Sequence, residues 1–473
     1  MKNSKLLQLL KSLDKDEISR FKKYLTKRHY NNEVTLKILD FILKHYPSFE
    51  SKNINKDYIL VHVLHQEKGL PKRISNEFHK LYKWLLDFLI MEKIGVDDLL
   101  RNQIILKIFK ERKVDRLYFQ KIEMLKKDIS NHRESIWKYL NMVLLHHSQY
   151  FYAATAKLRN VENLLTAAIE SLQLFYQLTM LKYNSEFQNR SNILSPVKMT
   201  DGNLWYTPLS LNSTVEKPSF LFSLYQKIYL FTSHPYPELY LELKNTLYSK
   251  HQNLVLEDRA VLLTYLINYT IKKINSGEIS FVQETFELHE FGFRNAILAT
   301  SGYLTVDKFR NILIIACELE KSEWSKSFLK EHIEYVPEEH RASLKALGNA
   351  LILFSKREYI QCIDYLNKVD FKDYGYTLQT KFILLKCYYE LRPEYGKTLE
   401  SFLNSFYNTI RRNTTIHQGT LESYQNSINI IKKLLRVNSR KSQIDVLSEV
   451  QSQNYIAGKT WLLKKVEELD QPE

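Results

Sequence analysis

The 473-residue chain is 44% hydrophobic and 13% aromatic, with only 11 glycines and 10 prolines, which favours long helices around a sizeable core over strands joined by tight turns. Three cysteines are too few for a disulfide-stapled scaffold, and the formal charge of +15 is concentrated in residues 1–160, which hold 32 Lys/Arg against 18 Asp/Glu. Composition thus excludes collagenous, low-complexity and disulfide-rich classes and leaves a helical protein with a basic first third.

In chain order, residues 1–98 read as a helical cap region. Lys11 and Asp14 cut short the first leucine run, so no leader peptide is expected and the cytoplasm is the expected location. No stretch approaches the roughly 18 uncharged apolar residues of a membrane span, so no insertion is expected. Asp14 and Glu17 form a capping-box-like start for a helix carrying Ile18, Phe21, Tyr24 and Leu25. Val34, Ile38, Phe41 and Ile42 mark the next helix, ending before Pro47, and Tyr58 to His65 another. Gly69-Leu70-Pro71 then breaks the chain, and Ser75 is placed to cap a helix through Phe78, Leu81, Leu85 and Phe88.

Residues 99–190 form a basic helical region. Ile104, Ile105, Ile108 and Phe109 read as one apolar stripe, and Leu117, Ile122, Leu125 and Ile129 as a second. Lysines and arginines lie between them, interleaved with Glu111, Asp115, Glu123 and Asp128. Lys107, Lys110, Lys121 and Lys126 are the candidate nucleic-acid-contacting set, since phosphate tracking needs cations gathered on one surface. A sharper version puts Lys72, Arg73, Ser75, Asn76 and His79 on a recognition helix, although no preceding turn or wing accompanies it. The plainer reading is a solvated, lysine-rich face of amphipathic helices.

From Ala153 to Phe187 the pattern is one helical run. Residues 191–218, with Pro196, Gly202, Pro208 and Pro218, read as a loop or linker. Helices resume over 219–473, and Asn275-Ser276-Gly277 supplies a left-handed stop. A spaced pattern then recurs: Glu323-Trp324 with Ser327-Phe328, Glu358-Tyr359 with Cys362-Ile363, and Glu394-Tyr395 with Thr398-Leu399. A period near 35 residues marks stacked helix-turn-helix units, in which a small residue lets two helices approach and an aromatic ring fills the turn. Ala350, Tyr359, Cys362 and Leu366 take tetratricopeptide-like positions, while Arg357 stands at the usual turn glycine.

These features predict an all-α chain, an irregular right-handed superhelical solenoid of antiparallel helix pairs. Over 220–469 the chain resembles a group of uncharacterised tetratricopeptide-like proteins common in Bacteroidota, and residues 13–25 look similar too, so the resemblance spans most of the chain. The resemblance rests on Asn268-Tyr269 through Asn275-Ser276-Gly277-Glu278, on Glu323-Trp324, on Lys386-Cys387-Tyr388-Tyr389-Glu390-Leu391 and on Lys459-Thr460-Trp461-Leu462-Leu463. It implies a fold and no particular activity.

The remaining motifs read as structural. Gly458-Lys459-Thr460 lacks the earlier glycine and preceding strand of a phosphate-binding loop, so a helix start before Trp461 is expected. His62 and His65 have no third ligand of suitable spacing, and His146 and His147 point to different faces. Cys317, Cys362 and Cys387 lie in apolar runs and are expected to be buried thiols. With no nucleophile elbow, Cys-x-x-Cys pair or kinase set, the expectation is a non-enzymatic scaffold or adaptor, without cofactor, metal or small-molecule substrate, that binds a protein or peptide. The alternative is an RNA- or DNA-binding protein acting through residues 1–160.

Overall fold

The computed structural model describes residues 4–28, 32–65, 71–96, 98–152, 161–193, 219–298, 303–368, 374–412, 418–453 and 456–470. Among them the regular structure is helical throughout, with 22 α-helices and no strand. The chain forms two compact units, one of Met1–Asn131 with Leu144–Ala168, the other of His132–Val143 with Ile169–Glu473.

In the first unit, α1 (Lys5–Lys11), α2 (Lys15–Arg28), α3 (Glu33–Leu43) and α4 (Lys56–Tyr58), which runs on as a π turn, surround α5 (Pro71–Val96). The cap on α2 is reciprocal: the Glu17 amide donates to Asp14 Oδ1 at 2.7 Å, and the Asp14 amide to Glu17 Oε2 at 2.9 Å. Phe21, Ile38, Phe78, Leu81, Leu85 and Phe88 meet in the core. Ser75 does not cap α5. The helix starts at Pro71, because proline fits a first helical position that needs no amide donor.

α6 (Asp98–Glu111) and α7 (Asp115–Asn131) pack on one another. The two stripes predicted from the sequence hold in part, with Ile122 and Leu125 buried and Phe109 and Ile129 packed against them. On α6 Leu106 is buried and Ile105 and Phe109 are partly buried, while Ile104 and Ile108 face solvent. On α7 Tyr118 replaces Leu117 in the core, together with Ile122 and Leu125. Tyr118 is drawn in by its tip as well as its ring: the hydroxyl donates to the Ser148 carbonyl at 2.7 Å, and the ring lies 4.1 Å from that of Tyr152.

α8 (Ile136–Tyr150) and α9 (Val161–Ile193) each contribute residues to both units. α9 continues through Ile193, three residues into the predicted linker; residues 194–218 and Ala153, Ala154 and Ala156 lie outside the described residues. The stretch Glu162–Arg190 is long and apolar enough to cross a membrane by length and composition, although Glu170 and Lys182 interrupt its uncharged run.

The second unit continues with α10 (Phe220–Ser233), α11 (Pro237–Lys250), α12 (Leu256–Asn275), α13 (Phe281–Arg294), α14 (Val306–Glu318), α15 (Ser322–His332), α16 (Glu338–Ser355) and α17 (Tyr359–Asn367). It closes with α18 (Tyr374–Glu390), α19 (Arg392–Arg411), α20 (Gln418–Leu434), α21 (Arg440–Ser452) and α22 (Lys459–Glu467). Neighbours in sequence pack as pairs, and α16 also packs on α14 and on α18, with α15 and α17 between them in the chain.

Five turns among the described residues share one construction, with Lys113, Gly277, Ala296, Glu320 or Arg357 in the left-handed region. Gly277, Glu320 and Arg357 take φ of 101°, 56° and 63°, and their amides donate to Ile274, Cys317 and Phe354. The next amide, of Glu278, Lys321 or Glu358, donates back to Lys273, Ala316 or Leu353. Two carbonyls at each helix end are thereby satisfied by a left-handed residue. This turn sets the repeat register and corrects the one drawn from the aromatic residues. Glu320 and Arg357 are 37 residues apart, which makes Ser325 the counterpart of Cys362. Both are fully buried, whereas Ser327 and Thr398 face solvent. The apolar positions Phe328, Ile363 and Leu399 are buried as expected.

Candidate functional site

A cleft of about 320 Å³ opens in the second unit, lined from α9 (Asn189), α10 (Phe231, Thr232), α12 (Tyr265, Asn268, Tyr269, Lys272, Asn275) and α14 (Asn311). On α12, Tyr265, Asn268, Lys272 and Asn275 recur at helical spacing, so one face carries them all. The opposite side of that helix supplies Leu262, Leu263 and Leu266 to the core. The lining is thus unusually rich in carboxamides.

The cleft's walls are fixed by polar contacts below its surface. Lys182 on α9 is buried and donates at 2.9 Å to Glu257 and to Asp258 at the start of α12. The Tyr225 hydroxyl donates to the same Asp258 oxygen at 2.6 Å. Burial first, and then the adjacent carboxylate, push the Tyr225 phenol well above its ordinary range, so it stays a donor. Tyr265 likewise donates to Glu186 at 2.9 Å. α9 is therefore pinned to α12 at two points, Lys182 and Glu186, in the turns before Asn189.

Within the cleft the Asn268 amide donates to Asn189 Oδ1 at 3.1 Å, which orients both carboxamides. Tyr269 stacks on Tyr240, with ring centroids 4.7 Å apart, and is 7% exposed. Its hydroxyl is buried without a hydrogen-bond partner, and burial raises its pKa. A buried hydroxyl left unpaired costs roughly 1–3 kcal/mol. The arrangement offers donors and acceptors side by side together with one exposed cation, Lys272. Carboxamides in this arrangement can pair with both the donor and the acceptor of an amide.

The lysines singled out from the sequence lie in the first unit. Lys107 and Lys110 are on α6, and Lys121 and Lys126 on α7. Two have acidic neighbours one turn away: Lys107 is 4.0 Å from Glu111, and Lys126 is 2.7 Å from Glu123. Lys72, Arg73 and Asn76 fall on α5, whose Ile74 and Phe78 are core residues.

Gly458-Lys459-Thr460 forms the start of α22 with Gly458 at φ 64°, and Lys459 donates to the carbonyls of Gln451 and Gln453, both at 3.0 Å. Its ammonium is thus engaged by the preceding segment. The His62 ring lies tilted against that of Tyr58, centroids 4.4 Å apart, and His65 lies beyond the helix with φ 51°. His146 Nδ1 is 3.1 Å from the Ala167 carbonyl. Among the described residues no group of three metal-ligating side chains is found. All three cysteines are free and buried.

Segments that carry the resemblance converge around α22. Thr460 donates to Glu318 at 3.0 Å, and Trp461 Nε1 and Lys465 Nζ donate to Glu390 at 2.9 and 2.8 Å. Lys386 lies within 5.0–5.7 Å of the ring centres of Phe354, Phe382 and Trp461. α22 therefore ties the end of α14 to that of α18, and Lys386 of α18 reaches Phe354 of α16.

The asparagine cleft was missed in the sequence although Asn268, Tyr269 and Asn275 stood among the noted residues. The available signal was Tyr-x-x-Asn-x-x-x-Lys-x-x-Asn on a helix whose other face is apolar. Comparison of the chain with protein-family models, curated proteins and solved structures gives no match.

Proposed function

We propose that the protein is a non-catalytic cytoplasmic scaffold or adaptor that seats a protein or peptide segment in the asparagine-lined cleft. In this reading the second unit is a right-handed, tetratricopeptide-like superhelical array of antiparallel helix pairs, and the cleft is part of its binding groove. The observation that carries it is the set of carboxamides from three helices gathered beside the exposed Lys272. A main-chain amide presents a matched acceptor and donor to such a surface, and a carboxylate would meet Lys272.

An array of immobilised peptides of mixed composition tests this. Wild-type protein is expected to retain a subset of peptides, and Asn268→Ala with Asn311→Ala to lose them, with Lys272→Ala losing only acidic members. Equal retention by the double variant would overturn the cleft as the seat. The second reading, nucleic-acid binding through residues 1–160, draws on the charge of that region. It requires binding to RNA or DNA that weakens steeply with salt.

A further inference from the structure

The longest helix, α9, has two unlike faces. One carries Leu178, Lys182, Ser185 and Asn189 into the second unit, all buried. The other leaves a solvent-facing apolar stripe: Ile169 is 58% exposed, Leu172 54%, Tyr176 49% and Tyr183 68%. These positions are spaced by 3, 4 and 7 residues, so they share one face of the helix. A helix of 33 residues is about 50 Å long, and water-exposed apolar rows of this extent mark contact surfaces.

The stripe is self-complementary in a way that selects its occupant. Ile169 lies seven residues before Tyr176 and Tyr183 seven residues after it. Glu162 and Arg190, both exposed, lie fourteen residues before and after. Two copies of α9 laid antiparallel about Tyr176 therefore set Ile169 against Tyr183 of the second copy, and each Glu162 against an Arg190. Arg190 also bonds Glu186 of its own helix at 2.6 Å, and its side chain remains 69% exposed to accept a second carboxylate. A parallel pair would place Glu162 on Glu162 and Arg190 on Arg190, which repel. Covering the four apolar side chains buries on the order of 500 Å² per copy, or about 1,000 Å² in total, near the lower bound of a specific interface.

We infer that α9 is a homodimerisation helix, pairing with a second copy of this chain in an antiparallel, two-fold arrangement centred on Tyr176. The surface is isologous, so each residue meets its partner twice and the contact closes at two copies.

Sedimentation velocity or light scattering on the full chain across a concentration series tests the pairing. Wild type is expected to be a dimer at micromolar concentration. Leu172→Glu should weaken association at least tenfold with unchanged circular dichroism. Arg190→Glu alone should weaken it, and adding Glu162→Arg to that variant should restore it, which a merely destabilised helix would not do. Tyr176→Cys should form an inter-chain disulfide on mild oxidation, because the axis brings the two copies of that position together. A wild-type monomer at all concentrations, a dimer insensitive to Leu172→Glu, or a charge pair without mutual rescue would overturn the inference. So would a monomer that instead binds phosphatidylcholine vesicles through this face.

Discussion

His289 on α13 is 5% exposed, and neither ring nitrogen has a hydrogen-bond partner. Burial first, and then the nearby Lys308 charge, hold its pKa down to about 3, against an ordinary value of 6.5. The unfolded chain therefore takes up a proton at 6.5 that the folded chain refuses until about pH 3. Stability is unaffected by this group above pH 6.5 and falls as pH drops below it, by about 1.4 kcal/mol per pH unit. Urea melts between pH 7 and pH 5 should show that slope in wild type and lose it in His289→Leu; equal slopes would contradict the assignment.

The three thiols make a second case at this scale. Burial pushes Cys317 up to about 11, and Cys362 lies against the Ala350 carbonyl at 3.3 Å. All three should react with a thiol reagent only on unfolding. Cys362→Trp should overpack the α16–α17 pair and cost about 1–3 kcal/mol, read from thermal or denaturant melts. The same change at Ser325 should be as damaging, whereas at Ser327, which faces solvent, it should have little effect.

Among the elements, the turns show which part of the architecture the sequence states openly. Gly277 announces its left-handed conformation, because glycine alone takes it without strain. Glu320 and Arg357 hold the same backbone with side chains that conceal it, so the aromatic residues became the apparent register and shifted it by two. Arg357→Gly should relieve the left-handed strain and raise stability by about 0.5–1 kcal/mol, because its side chain is largely exposed. A loss of stability in denaturant melts would show that its contact with Glu320, at 3.9 Å, matters more. The α6 and α7 stripes were legible only in part for a related reason: apolar residues crowd several faces of those helices, and the choice between Leu117 and Tyr118 depends on a hydroxyl partner, the Ser148 carbonyl, thirty residues away. The reciprocal cap at Asp14 and Glu17 is local, and it was legible.

For the whole molecule, helix content and the pairing of neighbouring helices follow from periodicity and the scarcity of glycine and proline. The asparagine cleft does not, since its lining comes from α9, α10, α12 and α14 and only the packed structure brings these together. The charge of the first third is plain in the sequence, yet its use is a separate matter, as Lys107 and Lys126 have acidic neighbours one turn away. Changing Lys107, Lys110, Lys121 and Lys126 together to Glu should leave partner recovery by an adaptor unchanged. Under the nucleic-acid reading it should flatten the salt slope by about 0.7–0.9 per lost contact. The most direct test of the adaptor account is a native affinity capture, with and without nuclease, using wild type and the Asn268→Ala, Asn311→Ala variant. The account predicts a discrete protein retained by wild type after nuclease treatment and lost with the cleft variant. Recovery that vanishes with nuclease, or that is identical for the two proteins, would contradict it.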